Sequence, residues 1–131
     1  MLVWLCRMDG IVYDTSRVGL EAVLRVWQLK ALQVLWSSPE GAKTFTVWEK
    51  VNQTLGGETI SRASIINFLE AMRVTGVLSG VEETGKGGYH WVYSPTLDEA
   101  GFKQFIVDTL LGRLMSEFPD EVKGAVEALN R

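Results

Sequence analysis

Residues 60–95, ISRASIINFLEAMRVTGVLSGVEETGKGGYHWVYSP, constrain the fold of this chain more than any other stretch. Ser61 is placed to cap a helix. Ile65, Phe68, Leu69 and Met72 then recur at i, i+3, i+4 and i+7, so one stripe of that helix is apolar. Gly76 stands where a helix C-cap belongs. Residues 77–84 and 89–94 read as strands flanking Gly85-Lys86-Gly87-Gly88, a hairpin with a glycine-rich tip. A helix followed at once by a two-stranded hairpin is a defined supersecondary unit. The elements on either side decide what it belongs to.

Upstream, Thr15 and Ser16 are candidate N-caps. Leu20, Val23, Leu24, Trp27, Ala31, Val34 and Leu35 carry a helical period to about Trp36. Ser37-Ser38-Pro39-Glu40-Gly41 ends it. Residues 43–45 have room for only a small strand. Thr46, with Glu49 three residues on, reads as a capping box opening a second helix over residues 47–55, which Gly56-Gly57 stops. The order is therefore helix, short strand, helix, helix, strand, strand. That is the order of a winged helix, mostly α with a small β-sheet (an α+β class). Downstream, Asp98 can cap a helix reaching about Met115, and Pro119 suits the first turn of a last helix with Val122, Ala125, Val126 and Leu129 on one side. The expected division is an extension of uncertain structure over residues 1–15, a winged-helix domain over 16–95 and a helical dimerisation tail over 96–131. Residues 3–13 read either as strand, Asp9-Gly10 turn, strand, or as an irregular start.

Composition narrows the function classes. At 131 residues, 47% of them hydrophobic, the chain suits one globular domain, or one with a small appendage. No apolar run is long enough for a membrane span, and the opening residues lack the basic n-region of a signal peptide. Cys6 is the only cysteine, which excludes an internal disulfide and a cysteine-based metal cluster; a reducing cytoplasm is expected. One histidine and scattered acids make no triad, metal cluster or carboxylate pair, so an enzyme is not expected and no cofactor or metal is implied. Residues 80–87 nearly spell a phosphate-binding loop, but no Ser or Thr follows the lysine and a strand follows instead of a helix.

A winged helix commonly sets its third helix in the major groove of DNA and its hairpin along the flanking backbone. On that reading Asn67 could pair with adenine, Arg62 with guanine or a phosphate, and Ile66 could meet a thymine methyl. Ser61 and Ser64 could donate to phosphates beside the helix N-terminus, and Lys86 could do so from the wing tip. Ordinary readings stand beside these: a solvated polar face for Arg62, Asn67 and the serines, packing against the second helix for Ile66, and a plain glycine turn at the tip. Glu70 would repel a phosphate, confining the footprint to the first turns. Tyr89, Trp91 and Tyr93 alternate onto one face, which suits packing of the hairpin on the core, and the lone His90 suits a structural or exposed place. The net charge of −3 does not itself argue for DNA. Seven Lys and Arg face seven acids between Gly19 and Pro95, and four face seven from Thr96 on, so the surplus acid lies in the tail. There Phe102, Phe105, Ile106, Leu110, Leu111, Leu114, Met115 and Phe118 cover more than one helix stripe. Phe102, Phe105, Ile106, Leu110, Leu114 and Phe118 are the expected dimer interface. The alternative is that the tail folds back on the winged helix.

The chain resembles the penicillinase-repressor family of winged-helix regulators, which includes copper-responsive repressors. The resemblance spans roughly residues 29–129. It rests on Leu32-Gln33-Val34-Leu35-Trp36, Ser64-Ile65-Ile66-Asn67-Phe68-Leu69, Gly76-Val77-Leu78, Tyr93-Ser94-Pro95 and Leu110-Leu111-Gly112-Arg113-Leu114. The first fifteen residues have no counterpart in it, and the third helix is less basic than the family's. It implies a homodimeric repressor on operator DNA, held together by the tail. The expected function is thus a sequence-specific DNA-binding regulator, a homodimer on a pseudo-palindromic operator, cytoplasmic and associated with the nucleoid. The alternatives are a winged helix used for protein–protein contact, which the neutral charge suits, and a ligand-sensing regulator with a pocket at the tail interface.

Overall fold

The computed structural model describes residues 11–85 and 88–131. Most of the opening hairpin read from the sequence lies outside them; residues 11–13, its second strand, form no strand. The first helix is also shorter than the period suggested. The carboxylate of Asp14 accepts bonds from the Ser16 backbone N–H at 2.9 Å and from the Ser16 hydroxyl at 2.6 Å, a local turn that competes with helix. Gly19 takes a φ of 67°. A single 3-10 turn, Gly19–Ala22, follows, and α1 begins only at Val26, running Val26–Trp36. Arg25 precedes it, its backbone N–H donating to the Gln28 side-chain oxygen at 2.9 Å. Thr15 and Ser16 therefore cap nothing.

After α1 the chain turns through Gly41 into β1, Ala42–Lys43. Gly41 is needed there: its φ is 110°, and a Cβ would stand 2.8 Å from Val92 Cγ1. The second helix, α2, spans Thr44–Gln53, so Thr46 lies inside it and the capping box with Glu49 is not formed. The third, α3, spans Arg62–Thr75. Ser61 caps it by accepting from the Ser64 backbone N–H at 3.1 Å, and Gly76 closes it in the left-handed region at φ 90°. The strands β2, Leu78–Gly85, and β3, Gly88–Pro95, make the hairpin. Their register runs from Leu78 opposite Pro95 to Gly85 opposite Gly88. β1 adds to the other edge of β3, Ala42 opposite Tyr93, giving an antiparallel sheet of order β1-β3-β2. This is a winged helix of the α+β class.

One core serves all these elements. Leu32 and Leu35 of α1, Val47 and Val51 of α2, and Ile65 and Leu69 of α3 are fully buried together, with Tyr93 of β3 at 2%. Each large side chain so buried contributes about 1.5–3 kcal/mol. The tail divides. Helix α4, Glu99–Glu117, is capped by Asp98, which accepts from the Gly101 N–H at 2.8 Å. Its first half seals the core: Phe102, Phe105 and Ile106 are buried within the protomer, and the Phe102 ring lies 5.9 Å from that of Trp36. These three expected interface residues are thus core residues of the single chain. Leu110 is half-buried at the edge. Beyond it Leu111, Leu114, Met115 and Phe118 are exposed, Phe118 by 52%. Helix α5, Pro119–Leu129, opens on Pro119 and buries none of its residues. Among the described residues no helix is long and apolar enough to cross a membrane.

Candidate nucleic-acid interface

The N-terminus of α3 is fixed from behind by α2. The Trp48 indole N–H donates to the Ile60 carbonyl at 2.8 Å. The Asn52 amide accepts from the Ile60 N–H at 2.8 Å and donates back to its carbonyl at 3.3 Å. Ile60 is thereby held on both backbone groups one residue before the cap. Sequence reading missed Trp48 and Asn52. An Asn in the last turn of a helix, just ahead of a double glycine, is the signal that could have found it.

At that N-terminus Ser61 Oγ donates to Ser64 Oγ at 2.9 Å while accepting from the Ser64 N–H. Ser61 is therefore committed to the cap, and Ser64 is half-buried. Arg62, Ile66 and Asn67 face solvent, Ile66 by 43%. The Arg62 guanidinium stands 5.5 Å over the Phe45 ring of α2, which preorganises it beside the helix start. Lys86 and Gly87 lie outside the described residues. Gly88 has φ 100° and open space around it. The described residues of β2 and β3 include no Lys or Arg, whereas Glu82 and Glu83 are exposed on β2. Glu83 sits opposite His90, with Oε1 3.7 Å from Nε2. Of the run resembling a phosphate-binding loop, residues 80–85 fall on β2, and the next described element is the strand β3.

Glu70 is not the free anion expected. Arg73 Nε donates to both its oxygens at 3.1 Å, and Arg73 Nη2 makes a further close bond to Oε1. The Tyr93 hydroxyl donates to Oε2 at 3.2 Å. The Arg73 bonds hold the Glu70 carboxyl below the usual carboxylate range; partial burial opposes this and Tyr93 adds to it. Burial first, then the Glu70 charge, pushes the Tyr93 hydroxyl up to about 12. Arg73 in turn lies 5.2 Å over the Trp91 ring, which stacks 6.1 Å from Tyr93. Trp91 and Tyr93 thus tie the hairpin to the core, as their alternation suggested.

Along one flank of α3, beside Asn67, an open groove of about 740 Å³ runs between α1, α3 and α4. Trp27, Phe68, Phe102 and Phe105 form its aromatic floor, and Ser64 and Asn67 belong to its polar wall. The segment ahead of α1 contributes Ile11, Val23 and Leu24.

No protein-family model matches the chain, and no curated protein matches it in sequence. Among solved structures it is similar to a protein of Thermoplasma acidophilum described as a candidate transcriptional regulator, with 20% identity and a TM-score of 0.50. The match covers 76% of this chain and 90% of that one. At that identity what the two share is the fold.

Proposed function

We propose that this chain is a sequence-specific DNA-binding transcriptional regulator, a repressor of the penicillinase-repressor type, acting as a homodimer on a pseudo-palindromic operator. The observation that carries this reading is the start of α3. Arg62, Ile66 and Asn67 present a cation, a methyl-bearing chain and an amide on an exposed face, on a helix whose N-terminus Ser61, Trp48 and Asn52 hold in place. Those groups suit guanine or phosphate, thymine and adenine respectively. Pairing of Glu70 with Arg73 removes much of the repulsion that a bare carboxylate there would exert. Ser64 remains a candidate phosphate donor, and Lys86 is the cation proposed for the wing tip. The likeness to a solved candidate regulator supports the same fold-level reading.

The homodimer rests on the far half of α4 and on α5. Leu111, Leu114, Met115 and Phe118, with Val126 and Leu129, expose an apolar face that none of the described residues covers. In this proposal the dimerisation tail begins near Leu110, and the start of α4 belongs with the winged helix. Selection of bound sequences from random duplexes at defined salt tests the function. Enrichment of a half-site repeated about one DNA turn apart is expected. No enrichment, with the dimer intact, overturns the reading and favours a winged helix used for protein contact.

A second reading, regulation by a small ligand, has one observation in its favour. The groove has the volume of a small-molecule site and an aromatic floor. It joins α3 to α4 within one protomer, not tail to tail. A screen for aromatic compounds that raise Tm tests it, and none doing so removes it.

A further inference from the structure

Arg73 sits in the last turn of α3, yet its guanidinium reaches the hairpin. One face covers the Trp91 indole of β3 at 5.2 Å, and its edge grips both oxygens of Glu70, of which Oε2 also accepts from the Tyr93 hydroxyl. Gly80 of β2 makes the space. A Cβ there would stand 2.7 Å from Arg73 Cδ and 3.0 Å from Trp91 Cε3. The Arg73 side chain is therefore laid between α3 and the wing, its stem beside Gly80 of β2 and its guanidinium over Trp91 of β3.

We propose that Arg73 is a positioning residue that sets the angle of the wing against α3, so that the wing and the helix meet one duplex together. This rests on the DNA-binding reading above. Each wing strand has 8 residues, about 27 Å of extended chain, so a tilt of about 10° at the root moves the tip by about 5 Å. That is more than a hydrogen bond to a phosphate tolerates. Buried Val77, Leu78 and Tyr93 and the pairing with β1 hold the base of the hairpin, and the fork on a carboxylate stacked on the Trp91 indole restrains the part of the wing beyond that base in two directions. With Nε and Nη2 turned to Glu70, Arg73 acts in this proposal through the wing and not by touching a phosphate.

The guanidinium's shape separates positioning from direct contact, because lysine keeps the charge but loses the fork and the flat face. Full-length Arg73→Lys, Arg73→Gln made together with Glu70→Gln so that no carboxylate is left bare, and the parent chain are footprinted with hydroxyl radicals on the selected operator, and their salt slopes are measured. Positioning predicts that Lys and Gln behave alike. Both lose protection where the wing lies and both lower the salt slope by about one unit, while protection under α3 and the preferred bases stay unchanged. A Lys variant with the parent's footprint and slope overturns the proposal, as does equal loss under helix and wing. Hydrogen exchange of the β2–β3 amides reads the same restraint without DNA. It should quicken in both variants while α1 and α2 exchange as before, and unchanged hairpin exchange overturns the proposal. A parent chain that binds no duplex would refute the functional reading alone, since the exchange result still decides the role of Arg73.

Discussion

Gly80→Ala is the smallest change that tests how the wing root is built. The added methyl would lie 2.7 Å from Arg73 Cδ, 3.0 Å from Trp91 Cε3 and 3.2 Å from Trp91 Cζ3. Carbon atoms settle at about 3.5–4.0 Å, so the guanidinium stem and the indole must part by several tenths of an ångström on each side. Overpacking of this kind costs about 1–3 kcal/mol. Gly80 is not among the glycines at positive φ, so the alanine returns about 0.4–1 kcal/mol by restricting the unfolded chain. The net loss is about 0.5–2 kcal/mol. For a chain of this size that lowers Tm by about 2–8 °C. Thermal unfolding followed by circular dichroism measures it, and a second background sharpens it. In Arg73→Ala the nearest colliding atom is absent, so Gly80→Ala should be less harmful there. A higher Tm for Gly80→Ala, or the same loss in both backgrounds, would refute the packing described for Gly80, Arg73 and Trp91.

Tyr93, raised to about 12, keeps its proton in the folded state above pH 10, where the unfolded chain gives it up. Stability should thus hold up to pH 10 and fall between pH 10 and 12, and Tyr93→Phe should remove that increment; an absorbance titration with no tyrosine ionising near pH 12 would contradict it. Glu70 runs the other way: its lowered pKa gives a contribution present above the ordinary carboxylate range and lost as pH falls through the folded value, so Glu70→Gln should flatten the acid limb of the stability curve. Phe102→Ala should cost about 3–5 kcal/mol in denaturant unfolding, as for a core residue, whereas Leu114→Asp should leave protomer folding intact and dissociate the proposed dimer in sedimentation; the reverse pattern would mean that the tail is divided wrongly. Asn52→Ala strips the Ile60 N–H of its partner and should cost about 1–3 kcal/mol, with Tm as the check.

The part of the fold that was legible in the sequence is the part with local causes. Over residues 60–95 a 3.6-residue period changes to a two-residue one, and Ser61 and Gly76 mark both ends of α3 by their own backbone chemistry. Two boundaries misled. The period through Leu20, Val23 and Leu24 runs on into α1 across a break at extended Arg25, so a 3-10 turn and a helix were read as one helix. Thr46 and Glu49 had the spacing of a capping box, but extended Lys43 already starts α2 at Thr44. Other features lay beyond local reading. Phe102, Phe105 and Ile106 looked like surplus apolar area because the winged helix has a third open side, which only the packed structure reveals. Glu70 looked like a free charge although Arg73 lies at i+3. Its second partner, Tyr93, is 23 residues away.

The central claim is that the exposed start of α3 reads bases. Its most direct test compares the affinity of the full chain for its selected operator with that for a scrambled duplex of equal length, at two salt concentrations, with Asn67→Ala alongside. A preference of about a thousandfold or more is predicted for the operator. Asn67→Ala should lose discrimination at one base pair per half-site, worth about 1–3 kcal/mol, with the salt slope unchanged. Equal affinity for both duplexes with the dimer intact, or an Asn67→Ala variant as discriminating as the parent, would contradict the claim.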